Sequence, residues 1–235
     1  MDAASATCAT LPGRSSPIGA SLIPGGVNFR VYSRSASSDP GIEALRSRQV
    51  KNFLTTTVLS IGVPMLGTCD EVRHSQCGNN NAYCQDNDAS WFDRSLVEKH
   101  ADVRRFLRLL LERRRVRNPG AEQHHLSLNQ LLASAQKTWH GVKIGQPDWS
   151  SSSHSIALSA HLPNENVTVH LIFNAYREPL EFELPDGNRG PWKGWIDTAL
   201  DPPNDILRWL DAANISGSHY VAGPRFGRGT AYGGE

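Results

Sequence analysis

Long hydrophobic runs are missing from this 235-residue chain. The longest apolar stretch, Val58 to Leu66, is broken by Ser60, Gly62 and Pro64 and is too short to cross a bilayer. No membrane partner is expected. Charge of one sign is missing too. Lys and Arg total 24 against 23 Asp and Glu, a net charge of +1. That balance supplies no overall pull toward nucleic acid. Cysteine is scarce: Cys8, Cys69, Cys77 and Cys84 lie far apart with no CxxC pair, which excludes a disulfide scaffold. No basic segment followed by an apolar one opens the chain, so no secretory leader is expected. A reducing, cytoplasmic setting fits these features. The sequons at Asn166 and Asn214 then carry no meaning. No internal repeat is present.

What is present suits one or two globular domains, since one domain takes about 150 residues. The first 40 residues are rich in Ser, Ala, Gly and Pro, with one strand-like run from Gly26 to Ser33. Val27, Phe29 and Val31 alternate in it, and no partner strand follows. Asp39-Pro40 reads as a helix cap plus a proline in the first turn. Ile42, Leu45, Gln49, Val50, Phe53, Leu54 and Val58 then predict an amphipathic helix of about four turns. Val63 to Leu66 reads as a short buried strand. Ser95 to Glu98 has the spacing of a capping box, opening a helix of about five turns that Pro119-Gly120 stops. Leu128, Leu131 and Leu132 suggest a short amphipathic piece. Trp139–Ile144, His154–His161, Val167–Phe173 and Leu180–Leu184 read as short strands of an antiparallel β-domain. The Gly-rich end from Arg225 to Thr230 lacks periodicity and is expected to fray.

Gly67 to Phe92 is a long polar loop, and such loops are commonly functional. Asp70 and Glu71 directly follow the short apolar run, a position suited to ligand contact or to capping the loop. Asn79, Asn80 and Asn81, with Tyr83, Gln85, Asp86 and Asn87, gather amide and carboxylate groups beside an aromatic ring. That chemistry suits a sugar, through hydrogen bonds and stacking; it equally suits a loop built from Asx turns. A catalytic carboxylate pair drawn from Asp70, Glu71, Asp86 and Asp88 is not established by spacing in a loop. Cys69, His74, Cys77 and Cys84 are spaced by five, three and seven residues, which matches no zinc-ligand pattern, so no metal and no cofactor are expected. The arginines from Arg104 to Arg117 share their helix with Glu98, Asp102 and Glu112 and read as a solvated face.

Longer strings carry a resemblance. Arg48 to Phe53, Gly62 to Leu66, Asp70-Glu71 and the run Gly78 to Asn87 resemble isoamylase-type glycogen debranching enzymes of the α-amylase superfamily. So do Trp139 to Lys143, Gln146 to Ser150 and Trp195 to Asp201. Pro24 to Phe29 is similar to the start of that family's carbohydrate-binding β-sandwich module. The resemblance implies an α+β chain: residues 1–38 as the start of a sandwich module, 39–125 as a remnant of a (β/α)8 barrel, and 126–235 as a C-terminal antiparallel β-sandwich-like domain. It implies branched α-glucan as ligand, with Asp70, Glu71, Asn79, Asn80, Asn81, Tyr83, Asp86 and Asn87 as contacts. It implies hydrolysis of α-1,6 branch points by a retaining pair of carboxylates helped by a second Asp. The motifs bearing those three groups have no counterpart here, where Ser38-Asp39 joins the two resembling blocks directly. No catalytic residue is therefore carried over, and loss of activity is expected. The helix faces of a broken barrel would pack on each other or on the C-terminal sheet, or else stay exposed and recruit a full-length relative. The family has Gly at Cys69 and Trp at Arg94 and Arg177, and it ends in an apolar strand where this chain reads Phe226-Gly227-Arg228-Gly229-Thr230. A missing last strand and an open sheet edge are expected.

Overall fold

The computed structural model describes residues 19–23, 26–30, 39–59, 64–76, 79, 82–114, 136–162, 167–186, 190–224 and 226–233. The expectations for Val63, Cys77, Gly78, Asn80, Asn81 and the 115–135 segment lie outside those residues. So does the stop at Pro119-Gly120.

Near the N-terminus, β1 (Gly19–Ile23) and β2 (Gly26–Arg30) form an antiparallel hairpin, with Gly19 opposite Arg30 and Ile23 opposite Gly26. The strand expected to stand alone has a partner, and it precedes rather than follows. Gly-Ala-Ser-Leu-Ile does not alternate, so periodicity missed it; Pro24-Gly25 was the available turn signal.

Helix α1 (Pro40–Leu59) begins as its sequence requires. The Asp39 carboxylate accepts the amides of Gly41 at 2.7 Å and Ile42 at 3.3 Å, which satisfies donors left over in the first turn. The helix runs 20 residues, longer than expected. Lys51, Leu54, Thr55, Val58 and Leu59 are buried, a stripe at three- and four-residue steps. The strand expected next does not form over Pro64–Leu66. Pro64 has no N–H to give a ladder, and among the described residues no strand lies beside it.

The second predicted helix is two: α2 (Ser95–Lys99) and α3 (Ala101–Arg114), divided at His100, whose φ of −116° and ψ of 34° leave the helical region. The expected capping box is replaced. Asp93 accepts both the amide of Ser95 at 2.9 Å and its hydroxyl at 2.6 Å. Ser95 donates, and the carboxylate two residues earlier holds the turn.

The C-terminal half is antiparallel throughout. Six strands lie in the order β3 (Gln136–His140), β4 (Ser155–Leu162), β5 (Val167–Asn174), β10 (Phe226–Gly233), β7 (Lys193–Asp197) and β8 (Ala213–Asn214). A second sheet pairs β6 (Leu180–Glu183) with β9 (His219–Ala222). One core holds Leu54 and Val58 of α1, Val103, Phe106 and Leu110 of α3, and Val167, Val169, Leu171 and Trp195 of the sheet. Another holds Ala157, Ile172, Phe182, Leu184, Trp192 and Ala222. Ala160 faces the helices while Ala157, three residues away, faces the small sheet, as a period of two demands. The result is three layers: helices, large sheet, small sheet. Leu54, Phe106 and Leu110 are covered, so their faces are not sticky patches.

The glycine-rich end overturns its expectation. Residues 226–233 do not fray; they form β10, between β5 and β7. Gly227, Gly229, Ala231 and Gly233 pair in register with Phe173, Leu171, Val169 and Val167 of β5, and the strand also lies near α1. Backbone ladders pair without help from side chains, so a hydrophobic-period reading cannot detect such a strand.

Charge also ties the layers. Lys51 of α1 reaches Asp205 at 2.7 Å and Asp102 of α3 at 2.9 Å. Arg105 of α3 pairs with Asp205 and donates to the carbonyl of Ile206 at 3.1 Å. Arg105 thus departs from the expected solvated face, while Arg108 and Glu112 keep to it. Asp205 and Lys51 are buried, so each charge depends on its partners. Burial opposes ionisation of Asp102, but the Lys51 ammonium and the bonds from the Val103 amide and Ser47 outweigh it and hold the carboxyl below its usual range.

Candidate functional site

The polar loop is built from short local bonds. Gly67 donates its amide to the Asp70 carboxylate at 2.7 Å. Asp70 to Val72 then make a single tight helical turn. Cys69 enters that turn at φ 81° and Arg73 leaves it at φ 55°, both left-handed. Left-handed backbone favours glycine, because a Cβ crowds the following carbonyl. The resemblance expects glycine at Cys69, and the geometry supplies the reason. Val72 is buried beneath the turn, and Arg73 reaches back to Glu43 of α1 at 3.1 Å. Desolvation raises the Asp70 carboxyl, and the Glu71 charge adds to it, against the lowering effect of the Gly67 amide.

The far arm folds over a second set of contacts. His74 Nε2 donates to the carbonyl of Ala89 at 3.2 Å and joins the two arms. Asn87 accepts the amide of Ala89 on its side chain at 3.0 Å and the amides of Ser90 and Trp91 on its carbonyl at 2.9 and 3.0 Å. Its side-chain amide faces Gln85 at 3.4 Å. The Ser90 hydroxyl closes onto the carbonyl of Gln85 at 2.5 Å. Asp86 accepts the indole N–H of Trp91 at 2.7 Å.

The predicted contact residues therefore divide. Asp70 closes its own turn, with the half-buried Glu71 inside it. Asn79 is half-buried and its amide donates to the carbonyl of Gln76 at 3.0 Å. Asn87 acts as an Asx turn, the structural alternative. Tyr83 is 85% exposed, and Asp86 fixes the orientation of Trp91, itself 53% exposed. Sequence reasoning missed Trp91. Its signal was an aromatic five residues beyond a carboxylate in a loop already singled out. Among the described residues no three His, Cys, Asp or Glu side chains gather to hold a metal.

Inside the sheets sits a second polar arrangement. The amide of Gly145 donates to His140 Nδ1 at 2.9 Å, so Nδ1 is the acceptor and Nε2 carries the proton. His140 Nε2 then donates to Ser159 Oγ at 2.9 Å, and that hydroxyl donates to His170 Nδ1 at 2.9 Å. Burial first, and the neighbouring His140 second, lower His170 to about 3; burial lowers His140 as well. Both rings are neutral at pH 7 and brace the interior of the sheets.

Known proteins are similar to this chain in sequence and in fold. The family model of the isoamylase 1–3 C-terminal domain matches residues 138–222. Isoamylase 1, chloroplastic, of Oryza sativa subsp. japonica is 32% identical over 166 residues, covering 71% of this chain and 20% of its own length. The glycogen operon protein GlgX homolog of Mycobacterium bovis is 33% identical over 190 residues, covering 72% and 26%. The chain thus spans about a fifth to a quarter of these relatives. Among solved structures, the apo pullulanase of Paenibacillus barengoltzii superposes with a TM-score of 0.56 at 18% identity, over 86% of this chain and 27% of that one. The pullulanase of Anoxybacillus sp. LM18-11 complexed with maltotetraose gives 0.55 at 14%, over 81% and 24%. At these identities the structural likeness speaks for the fold.

Proposed function

We propose that this chain, whose sequence is that of part of an isoamylase-type debranching enzyme, contacts branched α-glucan through its 79–91 loop and does not cleave it. The observation that carries this reading is the exposed Tyr83 ring on the loop in which Asp86 fixes the Trp91 indole. Aromatic faces beside amide and carboxylate acceptors match a sugar's apolar ring face and its hydroxyls. Two relatives are named as isoamylase and as a glycogen operon protein, and one pullulanase neighbour is described with maltotetraose, which supports α-glucan as the ligand class.

Loss of hydrolysis is part of the proposal. The three carboxylates that the resemblance places upstream of Arg48 have no counterpart across the Ser38-Asp39 junction. Of those that remain, Asp70 accepts the Gly67 amide and Asp86 the Trp91 indole. In this reading α1 and α3 are what is left of a barrel wall, joined to the C-terminal sheets by a common core. The division at 38 and 125 and cytoplasmic residence belong to the same proposal. Recruitment of a full-length relative through the helices is disfavoured, because Leu54, Phe106 and Leu110 are buried.

The test is reducing-end release from glycogen by the purified chain against a boiled control, run beside a maltoheptaose titration. Binding without release is expected. Heat-sensitive release would overturn the loss of hydrolysis, and an absence of binding would overturn the glucan reading.

A further inference from the structure

The edge strand β3 carries Trp139, 43% exposed, and the following loop carries Trp149, 66% exposed. Their rings meet edge-on, with centroids 5.7 Å apart and planes at 71°. Neither belongs to the 79–91 loop. Large aromatic rings seldom stay in water without a partner, and these two are held in place. The Gly145 amide is fixed by buried His140 at 2.9 Å, and the Ile144 amide by Glu183 at 2.9 Å. The carbonyl of Val142 accepts the amide of Glu183 at 2.9 Å. A Cβ at Gly141 would stand 2.4 Å from the carbonyl oxygen of Gln146, so only glycine lets the loop close against the strand end. Beyond Trp149, Asp148 accepts the amide of Ser150 at 2.9 Å, and the hydroxyls of Ser150 and Ser152 lie 3.2 Å apart on the surface. A preorganised aromatic corner, followed in sequence by the exposed Ser150 and Ser152, is therefore built into the C-terminal domain.

We propose that Trp139 and Trp149 form a second, separate α-glucan-binding site, taking a single chain of α-1,4-linked glucose. The angle between the rings selects the ligand. Two coplanar rings would fit a flat, extended polymer, whereas steeply crossed rings follow a chain whose successive sugar faces turn. An α-1,4-linked chain coils in this way. The Asp148 carboxylate before Trp149 and the Ser150 hydroxyl after it offer an acceptor and a donor that sugar hydroxyls can meet, while the carboxylate opposes a nucleic acid. This inference rests on α-glucan as the ligand class proposed above, and it adds a site to that reading.

The experiment follows indole N–H resonances of the ¹⁵N-labelled full chain during titration with maltoheptaose, with cellohexaose as control. Trp139 and Trp149 are expected to shift saturably with maltoheptaose and not with cellohexaose. Trp149→Ala, at an exposed loop position, should weaken that site by about tenfold, the weight of one lost ring contact, while Tyr83→Ala leaves it unchanged. The wild-type resonances report without any variant. Shifts confined to Trp91 would overturn this inference and leave the 79–91 loop reading standing. Equal shifts with cellohexaose would overturn the selection for a coiled chain. No shift at any indole would overturn both.

Discussion

The sheet-and-helix body and the 67–93 loop are stabilised in opposite ways. In the body, Phe106, Val58, Leu110 and Ile172 are fully buried, and a charged cluster crosses between layers. In the loop, a turn at Asp70 and a set of bonds around Asn87 connect near neighbours, and Tyr83 and Trp91 face water. Burial of a large apolar side chain is worth about 1.5–3 kcal/mol, a net hydrogen bond about 1. Damage to the body should therefore unfold the chain, whereas damage to the exposed loop rings should change binding and leave stability alone.

The largest effect is expected at Asp205. Asp205→Asn leaves the buried Lys51 and the half-buried Arg105 beside a neutral amide, with Asp102 as the remaining counter-charge for Lys51. Breaking a buried pair from one side costs about 3–5 kcal/mol, and urea unfolding at pH 7 should show a loss near the lower figure. A loss under about 1 kcal/mol would mean that water reaches the cluster and that body and loop differ less than argued.

Acid should separate the two regions next. His170 titrates near 3 in the folded chain because of its burial, against about 6.5 when unfolded. Between those values the unfolded state binds the extra proton, so stability falls as pH falls. The loss begins below about 6.5, approaches about 1.4 kcal/mol per pH unit, and ends near pH 3. Asp102, held low by Lys51, adds a loss in the acid range below its unfolded value of about 3.9. The urea midpoint should drop from pH 7 to pH 5, and His170→Gln should flatten that slope. An unchanged slope would place the proton uptake elsewhere.

Tyr83→Ala sharpens the comparison from the other side. Because Tyr83 is 85% exposed, its removal should leave the unfolding free energy from urea within about 0.5 kcal/mol of wild type while weakening loop binding of maltoheptaose by about tenfold. Asp86→Asn should weaken binding less, because the Trp91 indole keeps an amide oxygen to donate to.

The same division explains what could be read in advance. Buried elements announce themselves through side-chain period: α1 from Leu45, Phe53, Leu54 and Val58, β5 from Val167, Val169 and Leu171. Elements whose sequence lacks such a period do not. Strand β10 reads Gly227, Gly229, Ala231 and Gly233 at alternate positions and so shows no hydrophobic period. The break at His100 and the role of Asp93 follow from turn chemistry that a capping-box spacing imitates. In the site, composition identified the segment and left the roles open. Asn87 and Asp70 are spent on turns, and Trp91 stood just beyond the string that drew attention. The buried cluster of Lys51, Asp102, Arg105 and Asp205 joins residues up to 154 positions apart, and no local pattern encodes it.

The smallest expected effect falls where body and loop meet. Cys69 is buried and left-handed at φ 81°. A side chain there costs about 1–2 kcal/mol relative to glycine. Two terms oppose the gain from Cys69→Gly: the lost packing of a small thiol, and the wider freedom of glycine in the unfolded chain, about 0.4–1 kcal/mol. The thiol itself has little ionic role, since burial foremost and the charges of Glu71 and Asp70 raise it. Strain and its opponents are then of similar size, and a net gain below about 1 kcal/mol is expected in urea unfolding. Cys69→Ala separates the terms. It removes the thiol and keeps the Cβ, so it should lose stability where glycine gains. If alanine and glycine behave alike, packing of the sulfur decides the position. If glycine alone stabilises, the backbone decides it, and the loop's entry turn is strained by a residue that the fold did not require.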